Sequence, residues 1–419
     1  MVPNKKQKNK SLRFPWVLVL TSFVLALLAL LQNKYGRYSD IGAFYRMRFL
    51  DGQHQWPYVE NIIKGSTNLL NPIEYPSLTG LIIWVLTFFV WTNSEMEITY
   101  YYWLTAALNS MLFAFCANYL RKITGTKSAY LFAFTPAVLY SLHRNWDIWA
   151  IAAMLFAIYL FEKKRYQVSA ILLAVSIATK FFPVVLMLPI MIIFLRNKQF
   201  KLYMKYSFTT SAAWVVINLP FALINFEGWA YFYKFSAKRG LGSASFFEII
   251  NIILPSITFS SIYFYILNVL AMTAVTTYYV KLKSVPTLAG SSFFVVFGFI
   301  LFNKQYSMQY VIWLSVLAVL TLHHLKREPR ELLIYIYILW QSLELAFQYS
   351  FFQKILTDLY ANTSTPMTIA VSNSVYAYIG AVRYLVAVIF ALLLAKFFFA
   401  SNAESAQSQE SIKSRQQNN

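Results

Sequence analysis

The feature that most constrains this chain is a recurrence. Runs of about 20 apolar residues, separated by short basic loops, follow one another along almost its whole length. A run of that length crosses a ~30 Å hydrocarbon core as a helix, and in lipid only helices or closed barrels satisfy their own backbone polar groups. Of the 419 residues, 58% are hydrophobic and 19% aromatic, more apolar surface than a water-soluble core of this size needs. The chain therefore reads as an all-α polytopic membrane protein. A net charge of +20 would suit a nucleic-acid partner, but most basic residues sit in the short loops between runs, the signature of loops held on the cytoplasmic side. The lone cysteine, Cys116, lies inside a run, so an intrachain disulfide or a cysteine metal site is excluded.

Charge orders the runs. Residues 1–13 carry Lys5, Lys6, Lys8, Lys10 and Arg13 and are placed in the cytoplasm. The first span, 14–31, is followed by no small-residue cleavage site, so a removable signal is not expected. It delivers the loop 32–98 to the outside. Within that loop, 78–91 is apolar but short. If it crossed as well as 100–120, then Arg121, Lys122 and Lys127 would lie outside and every later basic loop would invert. It is therefore expected to be an interfacial helix. Spans 129–141, 148–161, 168–179, 182–195, 207–223, 262–280, 288–301, 310–322, 332–347 and 376–399 then alternate, giving about twelve spans with both termini inside. The transmembrane region is 14–399, with 225–247 and 348–373 as outer loops. The tail 400–419, rich in Ser, Gln and Asn, is expected to be disordered and cytoplasmic. No internal repeat is visible, whereas many transporters carry one.

With the basic cytoplasmic loops set aside, most remaining charges fall on the outer side, beside span ends. Only 12% of the chain is charged, so their gathering needs a reason. The acids are Asp40, Asp51, Glu74 and Asp147; the bases are Arg144, Lys180, Lys238, Arg239 and Lys304. Ionisable groups at membrane depth are costly and mark substrate pathways or sites. Carboxylates facing cations suit group transfer from a phosphate. The acids act on a hydroxyl nucleophile, while the cations hold the phosphate and stabilise charge as it departs. Each residue also has a plainer reading. Asp40 and Asp147 each stand where an acid can cap a helix. Lys180 and Lys304 can snorkel to the interface, and Arg239 can belong to a solvated Gly-rich loop. No spacing among the histidines, His143 included, forms a metal-ligand set.

The ordered pieces Tyr38-Ser39-Asp40, Trp56-Pro57-Tyr58, Glu74-Tyr75-Pro76-Ser77, Asn145-Trp146-Asp147, Thr179-Lys180-Phe181-Phe182-Pro183, Lys238-Arg239-Gly240 and 302–310 with Trp313 cover roughly residues 35 to 315. In this order they resemble the GT-C superfamily of polyprenyl-phosphate-sugar-dependent glycosyltransferases, most nearly glycosyltransferase family 87, the membrane alpha-mannosyltransferase-like proteins. Ser77 and Met308 stand where that family commonly has proline, and the last two spans match no part of it.

The resemblance implies a GT-C-type fold with a long first extracytoplasmic loop, and transfer of a hexose, mannose being one candidate, from a polyprenyl-phosphate donor. The acceptor hydroxyl belongs to a glycan, lipid or protein on the extracytoplasmic face. Asp40 is then the base, with Asp147, Glu74 and Asp51 as the acids that orient the acceptor or a cation. Lys180, Arg239, Lys304 and Arg144 bind the donor phosphate, supported by Tyr38, Asn145, Lys238 and Gln309. Some GT-C relatives use a divalent cation, and the residues leave that open. The rival reading is a transporter or flippase of a lipid-linked sugar, which needs the cations and a lipid groove but no acid above an acceptor.

Overall fold

The computed structural model describes residues 39–49, 54–59, 61–62, 69–70, 72–91, 96–360 and 371–417; the first span, Tyr38 and Asp51 lie outside these. The described chain is helical apart from a two-residue antiparallel ladder, β1 (Asn61–Ile62) with β2 (Leu69–Leu70). Helix α1 (Asp40–Arg48) and helix α2 (Ser77–Thr87) lie within the stretch 32–98 that the sequence reading takes as the first loop. The bundle follows as α3 (Glu97–Thr124), α4 (Thr126–Ala133), α5 (Pro136–Ser141), α6 (Asp147–Glu162) and α7 (Tyr166–Thr179). A 3-10 turn, Phe182–Leu186, leads into α8 (Met187–Arg196), then α9 (Phe200–Ile224), α10 (Phe226–Lys238), α11 (Phe246–Ile253) and α12 (Ser261–Lys281). The chain ends with α13 (Leu288–Leu301), α14 (Tyr310–His323), α15 (Arg327–Tyr360) and α16 (Asn373–Gln417).

Helices α3, α9, α12 and the Asn373–Glu404 part of α16 are long and apolar enough to cross a membrane by length and composition. The shorter α6, α13 and α14 are apolar nearly all round and buried nearly all round, as a helix at the centre of a bundle must be. Small residues let the central helices approach closely. Ser176 Oγ donates to the Ala150 carbonyl at 2.8 Å and Ser169 Oγ to Ala157 at 2.7 Å, joining α7 to α6. By contrast α9 and α12 keep most of their apolar faces outward, as lipid-facing helices do.

The boundaries expected from sequence shift in four places. The span 129–141 is broken into α4 and α5 because Pro136, at the first turn of α5, has no N–H to continue α4. The outer loop 225–247 is largely the helix α10: Asn225 caps it, its side chain accepting from Gly228 N at 2.8 Å. The polar stretch after 347 continues α15 as far as Tyr360, since 348–360 contains no Gly or Pro. The tail is not disordered through Gln417 but extends α16, and its Ala, Glu, Gln, Lys and Arg residues are helix formers. Its start is also docked: Ser401 Oγ donates to the His324 carbonyl at 3.1 Å, and Lys326 pairs with Glu404 at 2.7 Å.

The bundle has two distinct ends. At one, Glu162 accepts from Ala289 N at 3.0 Å, and Arg196 donates to the carbonyls of Tyr279 and Leu282 at 2.9 and 2.6 Å. This end gathers the basic loops after α6, α8, α12 and α14. At the other, the starts of α1 and α6 meet the ends of α7 and α13 and the late part of α15. Asp40, Arg144, Asp147, Lys180 and Arg239 lie there.

Candidate active site

Asp40 stands at the first position of α1, after the extended Ser39. Ser39 Oγ donates to the His143 carbonyl at 3.3 Å, which ties the start of α1 to the turn before α6. That turn carries Arg144, Asn145 and Asp147, all nearly fully buried. Asn145 Oδ1 accepts from Asp147 N at 2.9 Å, so Asn145 and not Asp147 satisfies the orphan amide at the start of α6. The Asp147 carboxylate is thereby left for other partners. Its Oδ1 accepts from Lys180 Nζ at 2.9 Å and its Oδ2 from Trp313 Nε1 at 2.8 Å. Lys180 follows α7 in extended backbone, before the 3-10 turn of Phe182 and Pro183. Its ammonium also lies 5.1 Å from the Tyr75 ring centre and within electrostatic reach of Asp40.

A cavity of about 250 Å³ opens beside this pair. Asp40, Arg144 and Arg239 form its charged wall. Ser243, Gln305, Ser307 and Gln309 supply hydroxyl and amide groups, with Tyr306 and Met308 between them. Phe351, Phe352 and Ile355 of α15 form the apolar wall. The Arg144 guanidinium rests 3.5 Å above the Phe352 ring and 4.5 Å from that of Tyr140, a cation–π arrangement that fixes its plane. Arg239 ends α10 and stays exposed at the rim. Two loops form that rim together: Gly242 N donates to the Lys304 carbonyl at 2.8 Å and Tyr306 N to Ser243 at 3.3 Å. A side chain at Gly242 would meet the Gln305 amide, which would have to turn aside.

Glu74 lies next to this wall, where burial pushes its carboxyl above the ordinary glutamate range. Arg239, Arg48 and Lys180 pull against that effect and Asp40 adds to it.

The structure thus brings Asp40, Arg144, Arg239 and Gln309 together, with Glu74 and the Asp147–Lys180 pair alongside. It does not bring Lys304, which was expected on the donor phosphate. Lys304 Nζ donates to the Ala237 carbonyl at 3.0 Å and lies against the rings of Phe264 and Tyr265, so it braces the end of α10. Lys238 is exposed and lines no part of the cavity. Asn145 acts by holding the α6 start. Asp51 and Tyr38 lie outside the described residues.

Sequence reasoning overlooked the α15 wall, because 351–355 was read as loop. It also overlooked Glu344 and Arg383, whose charges inside the last two apolar spans were themselves a signal. Among the described residues, no three His, Cys, Asp or Glu side chains gather to hold a metal ion.

Fold and site together define a helical membrane protein with a charged, half-apolar cavity at one end of its bundle. No protein-family model matches the sequence, and no curated protein does. Two crystal structures of ArnT from Cupriavidus metallidurans are similar to it. The one bound to undecaprenyl phosphate is 12% identical with a TM-score of 0.46, covering 93% of this chain and 77% of that one. The apo state is 14% identical with a TM-score of 0.48, covering 92% and 76%.

Proposed function

We propose that the protein is a GT-C-type glycosyltransferase of the membrane. It moves a hexose from a polyprenyl-phosphate donor to an acceptor hydroxyl on the extracytoplasmic face, and mannose is the first donor to test. The observation that carries this reading is the cavity that sets one carboxylate, Asp40, among the guanidinium groups of Arg144 and Arg239. A carboxylate alone suits proton removal and cations alone suit anion binding; transfer from a phosphate to a hydroxyl needs both within one site.

In this mechanism Asp40 accepts the proton of the acceptor hydroxyl as its oxygen attacks the anomeric carbon. The bond from that carbon to the phosphate oxygen breaks, the electron pair leaves with the lipid phosphate, and the configuration inverts. Arg144 and Arg239 stabilise the charge on the departing phosphate. Lys180 is compensated by Asp147 and lines no part of the cavity, so the pair serves to hold the end of α7 against the start of α6. Gln305, Gln309 and the serine hydroxyls are suited to sugar hydroxyls, and the Phe351–Phe352 wall to the apolar face of a sugar ring.

The test is transfer from radiolabelled polyprenyl-phosphate-mannose by purified protein, wild type beside Asp40→Asn. Loss of a general base lowers turnover by roughly 10²- to 10⁴-fold, with donor binding kept. Equal turnover by both proteins removes Asp40 from the role. Donor binding with no turnover by wild type, across a panel of acceptors, favours the flippase reading, to be followed by a flipping assay in vesicles.

A further inference from the structure

A buried ion pair joins the last two helices directly behind the cavity. Glu344 of α15 is 0% exposed and Arg383 of α16 is 2% exposed, with Arg383 Nη1 3.3 Å from Glu344 Oε2. The Arg383 guanidinium is packed among the rings of Tyr384, Tyr306 and Phe347, at 3.8, 4.1 and 4.3 Å from their centres. The second carboxylate oxygen, Glu344 Oε1, accepts from Tyr306 Oη at 2.9 Å. Tyr306 is one of the residues that line the cavity, between Gln305 and Ser307. The same stretch is gripped once more at Met308, whose carbonyl accepts from Ser141 Oγ at 3.3 Å and Gln348 Nε2 at 3.4 Å. Gln348 lies one turn beyond Glu344 on α15.

A buried ion pair is weak evidence for stability, since well-packed apolar residues commonly serve as well; its better use is to specify one arrangement. Among the groups that the pair holds, the Tyr306 hydroxyl is the one that belongs to the cavity wall. We infer that the last two helices are part of the active site: Arg383 holds Glu344, Glu344 holds the Tyr306 hydroxyl, and Tyr306 is the positioning residue that sets the wall from Gln305 to Gln309. The inference deepens the glycosyltransferase reading, but its test has an arm that does not depend on it.

The experiment uses the full chain in detergent with Cys116→Ala and a reporter, Ser307→Cys, in the wall. The rate of labelling by a membrane-impermeant maleimide is measured, with Ser236→Cys, exposed on α10, as the reference. Arg383→Met alone would leave a bare buried carboxylate and is expected to fold poorly. The working variants are therefore Tyr306→Phe and the neutralised pair Glu344→Leu/Arg383→Met, whose leucine cannot accept from the Tyr306 hydroxyl.

Each is expected to change labelling at position 307 at least threefold while leaving position 236 unchanged, and the triple variant to fall well short of the sum of the two, because both act on the wall through Tyr306. In the transfer assay, with native Ser307, the same variants are expected to lower kcat about tenfold with donor KM within about twofold, an effect of orientation. The inference is overturned if folded Tyr306→Phe leaves labelling unchanged. It is equally overturned if the neutralised pair adds its full effect on top of Tyr306→Phe. Should wild type transfer no sugar, the glycosyltransferase reading fails while the labelling arm still decides this one.

Discussion

Asp147 is nearly fully buried and touches two donors, Lys180 and Trp313. Removing one partner of such a pair leaves a charge without compensation, so Lys180→Met is expected to destabilise the protein by about 3–5 kcal/mol in detergent unfolding. Lys180→Met/Asp147→Asn is expected to recover most of that loss. Glu74 makes a prediction of the opposite kind. Because burial raises its carboxyl from the ordinary 4.5, the folded protein holds that proton more tightly than the unfolded chain does. The group's share of stability is complete at pH below the ordinary range and is lost as pH rises through the raised folded value. Glu74→Gln should therefore be more stable than wild type at neutral pH and show a flatter stability profile across that window, measured by unfolding at a series of pH values. Arg239 belongs to the same neighbourhood but lies on the rim, where a charge-assisted bond to phosphate is worth about 1.5–3 kcal/mol. Arg239→Ala is expected to weaken binding of the polyprenyl-phosphate donor by roughly 10- to 100-fold, read by titration of the labelled lipid. Asp40, Arg144 and Arg239 were visible in the sequence as charges that the cytoplasmic loops did not account for. Lys304 looked the same in sequence, because a lysine bracing a carbonyl and a lysine awaiting an anion differ only in what lies within reach of Nζ.

At the scale of elements, apolar run length marked where the helices lie, and among the described residues four of them are long and apolar enough to cross a membrane. The errors have a common cause: run length reports where lipid must be crossed, not where a helix stops. Helix α10 is apolar on the side carrying Trp229, Ala230 and Tyr233, and its Glu227 and Lys234 pair in solvent. An amphipathic helix at a bundle end leaves no long apolar run. Helix α15 likewise continues past its apolar run, since nothing in 348–360 breaks it. Close packing at one point of α16 gives a specific test. A side chain at Gly380 would meet Ile249 of α11 at 2.5 Å and the Phe347 ring of α15 at 2.9 Å. Gly380→Val is therefore expected to cost about 1–3 kcal/mol by overpacking, and to displace Arg383, one turn further along, from its place behind the cavity. Unfolding and the labelling rate at position 307 would report the two effects separately.

The whole molecule is polar along its bundle axis. One end is closed by Glu162, Arg196 and the docked start of the tail; the other carries the cavity. In intact cells, single cysteines placed at Lys164 and at Ser236 should react with impermeant reagent from opposite sides of the membrane, which checks the proposed orientation directly. The length of α15 adds a further point. Its 34 residues amount to roughly 50 Å of helix, well beyond a ~30 Å hydrocarbon core. From Arg330, near the basic end, to Phe351, at the cavity wall, the helix rises roughly 30 Å. If α15 stands near the membrane normal, the cavity then lies one bilayer core away from the basic end, level with the phosphates of the far leaflet. A lipid-linked donor would arrive with its headgroup already at the right height. Its search would be two-dimensional, a sideways drift within one leaflet, while acceptors would come down from the water above.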